Sequence, residues 1–317
     1  MTESNHVHNS PFFSIIIPVY NKEKFIAQTL QSVKNQIFDD YEVIIIDDES
    51  TDGSLEVINT FLSDKIQCYS VQNQGVSNAR NFGIQKSKAN YIALLDADDC
   101  WSADYLQTIF ETIGTFPDEK VFATALRFEV LDKEVSSVYS FRYDTEPQIV
   151  NYFKGSLKQS VLTSSSAVFH RTVFENTGGF NSKYQVGEDT DMWVRIGMYY
   201  PIVFIPKELV LYKFDVHGLS NNRKKYSQKA DFEEYISYEK ADKDLKKFLD
   251  YNRFSLALES KMDGNQKMFK RYYRQIDIQN LPFKKRVLLA LPSFILKKLV
   301  YLKLKLAIWG LGDSVFK

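Results

Sequence analysis

Over its first third the chain alternates between short apolar runs and segments whose apolar positions recur at helical spacing. Phe12, Phe13, Ile15, Ile16 and Ile17 make the first run, stopped by Pro18, and Phe25, Ile26, Leu30, Val33 and Ile37 then mark an amphipathic helix over 24–36. A second strand at 43–46, a helix opened by Asp52-Gly53-Ser54, a short strand at 66–71, a helix over 75–85 and a strand at 91–95 continue the rhythm. Strand and helix in strict alternation predict a parallel sheet covered on both faces.

After a helix over 104–116 the pattern changes. Phe122, Thr124, Leu126, Phe128 and Val130, followed by Val135, Val138 and Phe141, alternate as antiparallel or edge strands do, so the sheet is expected to become mixed. A strand over 161–169 carries the run Ser164-Ser165-Ser166, a helix near 171–176 ends at Gly178-Gly179, and an amphipathic helix follows Gly187. Short strands at 203–205 and 209–214 flank Pro206. Beyond them the sequence predicts charged helices over 228–249 and 253–258 and a tail whose apolar stripe is interrupted at Pro292. The expected division is a catalytic domain over 1–220, with parts at 12–100 and 101–220, and a helical region over 221–317 with an amphipathic basic tail at 283–309.

Two of the apolar runs end in acids. Ile46 leads into Asp47-Asp48, and Leu94-Leu95 into Asp96-Ala97-Asp98-Asp99. In an open α/β sheet the ligand lies beyond the strand ends, so these carboxylates are candidates to meet a divalent cation held against substrate phosphates. Asp96 and Asp98, one residue apart, would converge on one ion in a turn, although Asp-rich loops also cap helices. Asp48 could accept from a base or sugar, whereas Asp52 or Ser54 is most simply a cap. Arg80, alone among small and apolar neighbours, could brace the acids, meet a nucleotide or form a surface ion pair. Glu188-Asp189 follows Gly187, and spacing leaves a proton-accepting carboxylate and a helix cap equally open. Trp101 is a candidate wall of the crevice, with packing as the alternative.

Composition narrows the class. Forty basic residues balance forty acidic ones, which gives no support to a nucleic-acid partner. The charge is uneven, however: 284–305 holds seven Lys or Arg and no Asp or Glu. Neither half of the tail offers the roughly 20 mainly apolar residues of a spanning helix. An interfacial helix on a membrane surface is expected, and a dimer seam or packing on the catalytic domain is the other use of the same stripe. Cys68 and Cys100 form no metal or disulfide framework, and the polar first ten residues have no apolar core of a signal peptide. The expectation is a cytoplasmic protein, peripheral at the inner face of a bacterial plasma membrane.

Together Pro18-Val19-Tyr20-Asn21, Ser32-Val33 with Gln36, Ile46-Asp47-Asp48 with Ser50-Thr51-Asp52-Gly53, Asn73 with Gly75, Ala79-Arg80-Asn81 with Gly83, Leu95-Asp96-Ala97-Asp98-Asp99, Gly178-Gly179-Phe180 and Gly187-Glu188-Asp189 closely resemble the family 2 glycosyltransferases. The resemblance implies a GT-A (Rossmann-like) α/β fold and inverting transfer of a sugar from a nucleotide sugar, commonly a UDP-sugar, to a hydroxyl of a glycan or lipid-linked acceptor. It further implies Pro18 and Tyr20 at the nucleobase, Asp48 on the base, Arg80 at the same pocket and Asp96 at the ribose. Asp98 and His217 would meet Mn or Mg or the diphosphate, Asp189 would be the general base, and Glu188 and Trp101 would lie on the acceptor side. Glu49 departs from the family pattern, which usually has a small residue after the Asp pair. A nucleotidyltransferase, a hydrolase of sugar nucleotides, or a silent binder of sugar nucleotides would use the same residues.

Overall fold

The computed structural model describes residues 10–130, 133–213 and 229–308. It divides into two compact units: most of the chain up to Ala230, and a second made of Val138–Phe141, Phe153–Gln159 and the residues from Asp231 onward.

The first unit is built on a mixed sheet. Its leading strands are β1 (Phe13–Val19), β2 (Tyr41–Asp47), β3 (Ile66–Ser70) and β4 (Tyr91–Leu94), and the sheet continues through β5 (Cys100–Trp101), β6 (Val121–Val130), β7 (Lys133–Ser136), β8 (Gln148–Val150), β9 (Ala167–His170) and β10 (Ile202–Lys213). The spatial order is β3-β2-β1-β4-β9-β6-β10-β5, with β7 on β6 and β8 on β10. β3, β2, β1 and β4 run parallel, β9 is antiparallel to both β4 and β6, and β10 is parallel to β6. The change from parallel to mixed pairing thus falls beside β4, the strand that ends in the Asp run. Helices α1 (Ile26–Lys34), α2 (Ser54–Asn59), α3 (Val76–Lys86), α4 (Tyr105–Thr115), α6 (Val173–Thr177) and α7 (Glu188–Tyr199), and the single turn α5 (Tyr152–Gly155), complete the connections.

Ile15, Ile17, Val43, Ile45 and Ala93 are fully buried in one core with Ile26, Leu30 and Val33 of α1, so the apolar runs are strands covered by helices. Polar joints fix the layers. The Gln36 amide donates to the Ser32 and Ser102 carbonyls and accepts from Leu106 N at 3.0 Å, tying α1 to α4. Pro18 does not end β1, which runs on to Val19 beside Asp47. Pairing with β4 stops at Ile16–Leu94, so the missing Pro N–H falls where the neighbouring strand has left the ladder.

Three expectations are corrected. Only Ala167–His170 of the region 161–169 is strand, because Thr163 and Ser166 bond to each other and to the local backbone instead of a ladder. The two strands around Pro206 are one, β10, which absorbs the proline as register shifts between Ile205 and Val210. In the second unit the region 228–249 begins as two 3-10 turns, Glu233–Tyr235 and Tyr238–Lys240. Asp242 then caps α8 (Lys243–Met262) by accepting from Asp244 N and Leu245 N, and that helix continues through Asn252 without a break. α9 (Gln266–Gln275), α10 (Phe283–Ala290) and α11 (Ser293–Ile308) follow, parted at Pro292. Phe254, Ala257, Tyr272, Leu281 and Leu289 form this unit's own core.

Candidate active site

Asp96, Asp98 and Asp99 occupy the turn between β4 and β5. The α1 residue Thr29 donates to the Ala97 carbonyl at 2.9 Å, and Ser165 holds the turn from the other side. Its Oγ accepts from Asp96 N at 3.1 Å and donates to Asp99 Oδ2 at 2.5 Å. Lys213 N donates to Asp99 Oδ1 at 3.0 Å. Asp99 is therefore a buried strut, and burial, followed by the charges of Asp96 and Asp98, raises its pKa well above the carboxylate range. Asp96 and Asp98 remain partly exposed.

Each of these two faces a cation. Arg80 of α3 donates to Asp96 Oδ1 at 2.8 Å and to Glu188 Oε1 at 3.3 Å, with its guanidinium 5.1 Å from the centre of the Phe180 ring. Burial works against its charge, but Asp96 and Glu188 outweigh that and raise its pKa. Arg80 is no surface ion pair: it is 4% exposed and joins the β4 end to the α7 start. Lys22, just beyond β1, places its Nζ 2.5 Å from Asp98 Oδ2. Burial still lifts the Asp98 pKa, Lys22 opposes it, and Asp96 adds to it.

Glu188 and Asp189 open α7. The helix starts at Gly187, whose φ of +79° is a left-handed conformation that suits glycine, and no side chain caps it. Asp189 Oδ1 accepts from the N–H of its neighbour Thr190 at 2.6 Å. Asp191 instead binds Arg195, which reaches the carbonyls of Thr177 and Gly179 and fastens the glycine turn before the helix. Asn81 clamps the same turn, exchanging two 2.8 Å hydrogen bonds with the Phe180 backbone. Burial, then the Asp189 charge, pushes the Glu188 carboxyl up to about 7, with Arg80 acting in the opposite direction.

Asp48 looks inward. It is 4% exposed and accepts from Gln74 N at 3.0 Å and Gly75 N at 2.9 Å. It thereby fixes the chain at Gly75, where φ is +87°, and with it the start of α3 that carries Arg80. Tyr20 is exposed at the end of β1. Trp101 is corrected from crevice wall to core: it is 5% exposed, stacks on Tyr105 with centroids 4.1 Å apart, and donates from Nε1 to the Ser165 carbonyl at 2.7 Å. His217 lies outside the described residues.

Lys22 and Tyr212 were not singled out from the sequence, Asn81 was named only within the motif that carries the resemblance, and Ser165 only within a run expected to be strand. Burial, then the charges of Asp99, Asp96, Asp98 and Asp189, raises the Tyr212 phenol's pKa, so this β10 side chain lies in the field of those acids. The pattern offered only faint signals, namely a lysine directly after the Tyr20-Asn21 loop and a serine run that was read as strand.

Among the described residues no group of three or more His, Cys, Asp or Glu is disposed to hold a metal ion. One or two carboxylates suffice when diphosphate oxygens complete the shell of Mg or Mn. Asp98 with Asp96 offers hard oxygen donors of that kind, and a cation, the Lys22 ammonium, already sits against Asp98. A depression of about 250 Å³ near Ile92 and Arg171 includes none of these acids.

The mixed sheet, with carboxylates gathered where parallel pairing gives way, has the GT-A fold of the solved structures that it matches. S. aureus TarS 1–349 in complex with UDP-GlcNAc matches with a TM-score of 0.59 at 17% identity, over 83% of this chain and 72% of that one. The mannosyltransferase PcManGT from Pyrobaculum calidifontis in complex with GDP-Man and Mn2+ gives 0.55 at 17%, over 89% and 79%. The chain belongs to glycosyl transferase family 2, whose sequence profile matches residues 14–178, more than half of its length. Chondroitin synthase of Pasteurella multocida (strain Pm70) is 30% identical over 205 residues, 61% of this chain and 20% of that protein. The match covers 49%, 31% and 20% of the length of the first three curated relatives.

Proposed function

We propose that the protein transfers a sugar, with inversion, from a nucleotide sugar to a hydroxyl of a glycan or lipid-linked acceptor in polysaccharide synthesis. UDP-sugar is the first donor to test. The observation that carries this is the Arg80 bridge, which holds the carboxylates of the β4 turn to the start of α7 and its Asp189. The UDP-GlcNAc complex of TarS and the GDP-Man and Mn2+ complex of PcManGT support a nucleotide-sugar donor, and chondroitin synthase supports a polysaccharide product.

In this reading Asp189 takes the acceptor hydroxyl proton as that oxygen attacks the anomeric carbon. The bond from that carbon to the diphosphate breaks, and the nucleoside diphosphate leaves with the electron pair. Mn or Mg, when bound at Asp98, supplies charge stabilisation to the leaving diphosphate. Asp96 and Tyr20 face the nucleoside, Asp48 sets the loop beside it, and Arg80 keeps Asp96 and Glu188 in place. The purified protein incubated with Mn2+ and a panel of nucleotide sugars, with and without oligosaccharide acceptors, tests the reading. Transfer that needs an acceptor supports it; acceptor-independent hydrolysis at the same rate, or nucleotidyl transfer, overturns it.

We also place the protein at an anionic membrane surface through α10 and α11. No helix among the described residues is long and apolar enough to cross a membrane. Phe283 is 78% and Phe294 62% exposed, alongside Tyr301 and Leu302, on helices rich in lysine. Such a face would bury its rings at the headgroup boundary while the lysines meet acidic lipids. Leu281 and Leu289 belong to the core of the helical unit, so removal of the tail would damage that core, and substitution is the cleaner test. Phe283→Ser with Phe294→Ser should abolish flotation with phosphatidylglycerol vesicles; unchanged flotation would reject this face.

A further inference from the structure

The root of Lys22 is fixed and only its head can travel. Its N–H donates to Ser54 Oγ at 2.7 Å, and its carbonyl accepts from Phe25 N and Ile26 N, each at 2.9 Å. On either side, Asn21 N donates to Ser50 Oγ at 3.1 Å and Glu23 N to Asp52 Oδ2 at 3.1 Å. From this braced loop a flexible four-carbon stem carries the ammonium to Asp98, across 76 residues of sequence. Arg80 is committed to Asp96 and Glu188, and among the described residues Lys22 is the cation paired with Asp98.

We propose that Lys22 gates the cation position at Asp98: its ammonium holds that position in the free protein, excludes a bare divalent ion, and yields it when a nucleotide diphosphate arrives. The inference rests on the reading of Asp98 as a metal ligand. An ammonium and a divalent ion repel each other strongly at one carboxylate in a partly buried site. A diphosphate removes the conflict, because its oxygens accept the ammonium and share the metal. The lysine therefore makes metal and nucleotide bind with positive coupling, and linkage makes that coupling reciprocal. The consequence is order: the metal enters with the nucleotide, not ahead of it.

The test measures Mn2+ binding, not turnover. The electron paramagnetic resonance signal of free Mn2+ is titrated with wild-type protein, Lys22→Met, Lys22→Arg and Asp98→Asn, each alone and with one equivalent of UDP or, in parallel, GDP, and the Mn2+ taken up by the same nucleotide without protein is subtracted. Wild type and Lys22→Arg should bind Mn2+ alone at least about tenfold more weakly than with nucleotide, within the usual span of coupling between sites. Lys22→Met should bind Mn2+ alone about tenfold more tightly than wild type, with the nucleotide's enhancement reduced by the same factor. If Lys22→Met and wild type bind Mn2+ alone equally while Asp98→Asn loses it, the gate is wrong and the metal site stands. If Asp98→Asn binds Mn2+ with nucleotide as wild type does, the metal reading fails and takes the gate with it.

Discussion

Two of the charge clusters among the described residues, one in each unit, are built to opposite ends. In the helical unit Arg253, fully buried, pairs with Glu239 at 2.6 Å and lies 3.8 Å from Asp250 Oδ1, the oxygen that Lys246 also binds. Asn280 and the Asp277 N–H complete Asp250, and the Phe232 carbonyl accepts from Arg253. Two cations meet two acids, and the Asn280 amide and backbone groups satisfy most of what remains, with Arg253 Nε left without a partner. In the sheet unit Lys22 and Arg80 face Asp96, Asp98, Asp99, Glu188 and Asp189. The first cluster is closed and fixes a fold. The second gathers more acids than cations among the described residues, with Asp96 and Asp98 partly exposed, and a divalent cation held against a diphosphate would complete it.

Removing one acid from the open cluster should cost activity and spare the fold. Asp189→Asn takes away the proposed proton acceptor at constant volume, so kcat for sugar transfer should fall roughly 10²–10⁴-fold, the usual range for a general base, with donor affinity nearly kept. Steady-state kinetics set against donor binding checks this. A parallel loss of both would make Asp189 a purely structural residue of the α7 start.

The closed cluster should respond in the other direction. Arg253→Met takes from Glu239 its close partner in the interior, while Asp250 keeps Lys246 and Asn280, and removal of one partner of a buried pair costs about 3–5 kcal/mol. Urea unfolding followed by far-ultraviolet circular dichroism should show that loss. Adding Glu239→Leu should restore part of it, because the charge left without its partner is the larger penalty. No recovery in the double variant would mean that the guanidinium's packing, and not its charge balance, holds the unit.

The open cluster also predicts an unusual pH profile. Glu188 titrates at about 7 in the folded protein against an ordinary value of 4.5. The folded state therefore holds a proton that the unfolded chain releases, so this contribution to stability is complete below 4.5 and is lost as pH rises through about 7. Asp98 and Asp99, also raised, act with the same sign. The melting temperature of wild type should thus fall from pH 5 to pH 8 more steeply than that of Glu188→Gln. Equal slopes would place the Glu188 carboxyl in ordinary solvent.

The sequence showed the surplus more readily than its control. Asp96, Asp98, Arg80 and the Glu188-Asp189 pair were legible because strand ends and a helix start are where periodicity breaks into charge. Lys22 was not, since a loop lysine carries no periodic signal and its partner lies on another strand's turn. Ser165 was hidden for a different reason: in a run of serines beside apolar residues, ladder and turn read alike until Asp99 is placed. Trp101 was misjudged because a tryptophan beside acids fits a crevice wall as well as a core, and only the stack on Tyr105 decides. In the helical unit the alternation of charge located helices, yet it could not show that Arg253 and Asp250 face inward, where a charge run ordinarily faces water.

The smallest expected effect concerns Glu49, the position at which this chain departs from its family's pattern. Its φ is +65°, in the region that favours glycine, and a side chain there costs on the order of 1 kcal/mol. Its carboxylate recovers part of that by accepting from Asn73 N at 3.2 Å, which pins the same loop that Asp48 holds at Gln74 and Gly75. A net hydrogen bond of this kind contributes about 0.5–1.5 kcal/mol. Glu49→Gly removes the strain and the bond together and gives the unfolded chain more freedom, so its stability should stay within about 1 kcal/mol of wild type. Glu49→Ala loses the bond and keeps the strain, and should be the less stable of the two. Urea midpoints of the three proteins separate the terms: Ala below both Gly and wild type assigns the residue to holding the loop against its own backbone. Ala equal to wild type would mean that the carboxylate adds nothing to folding.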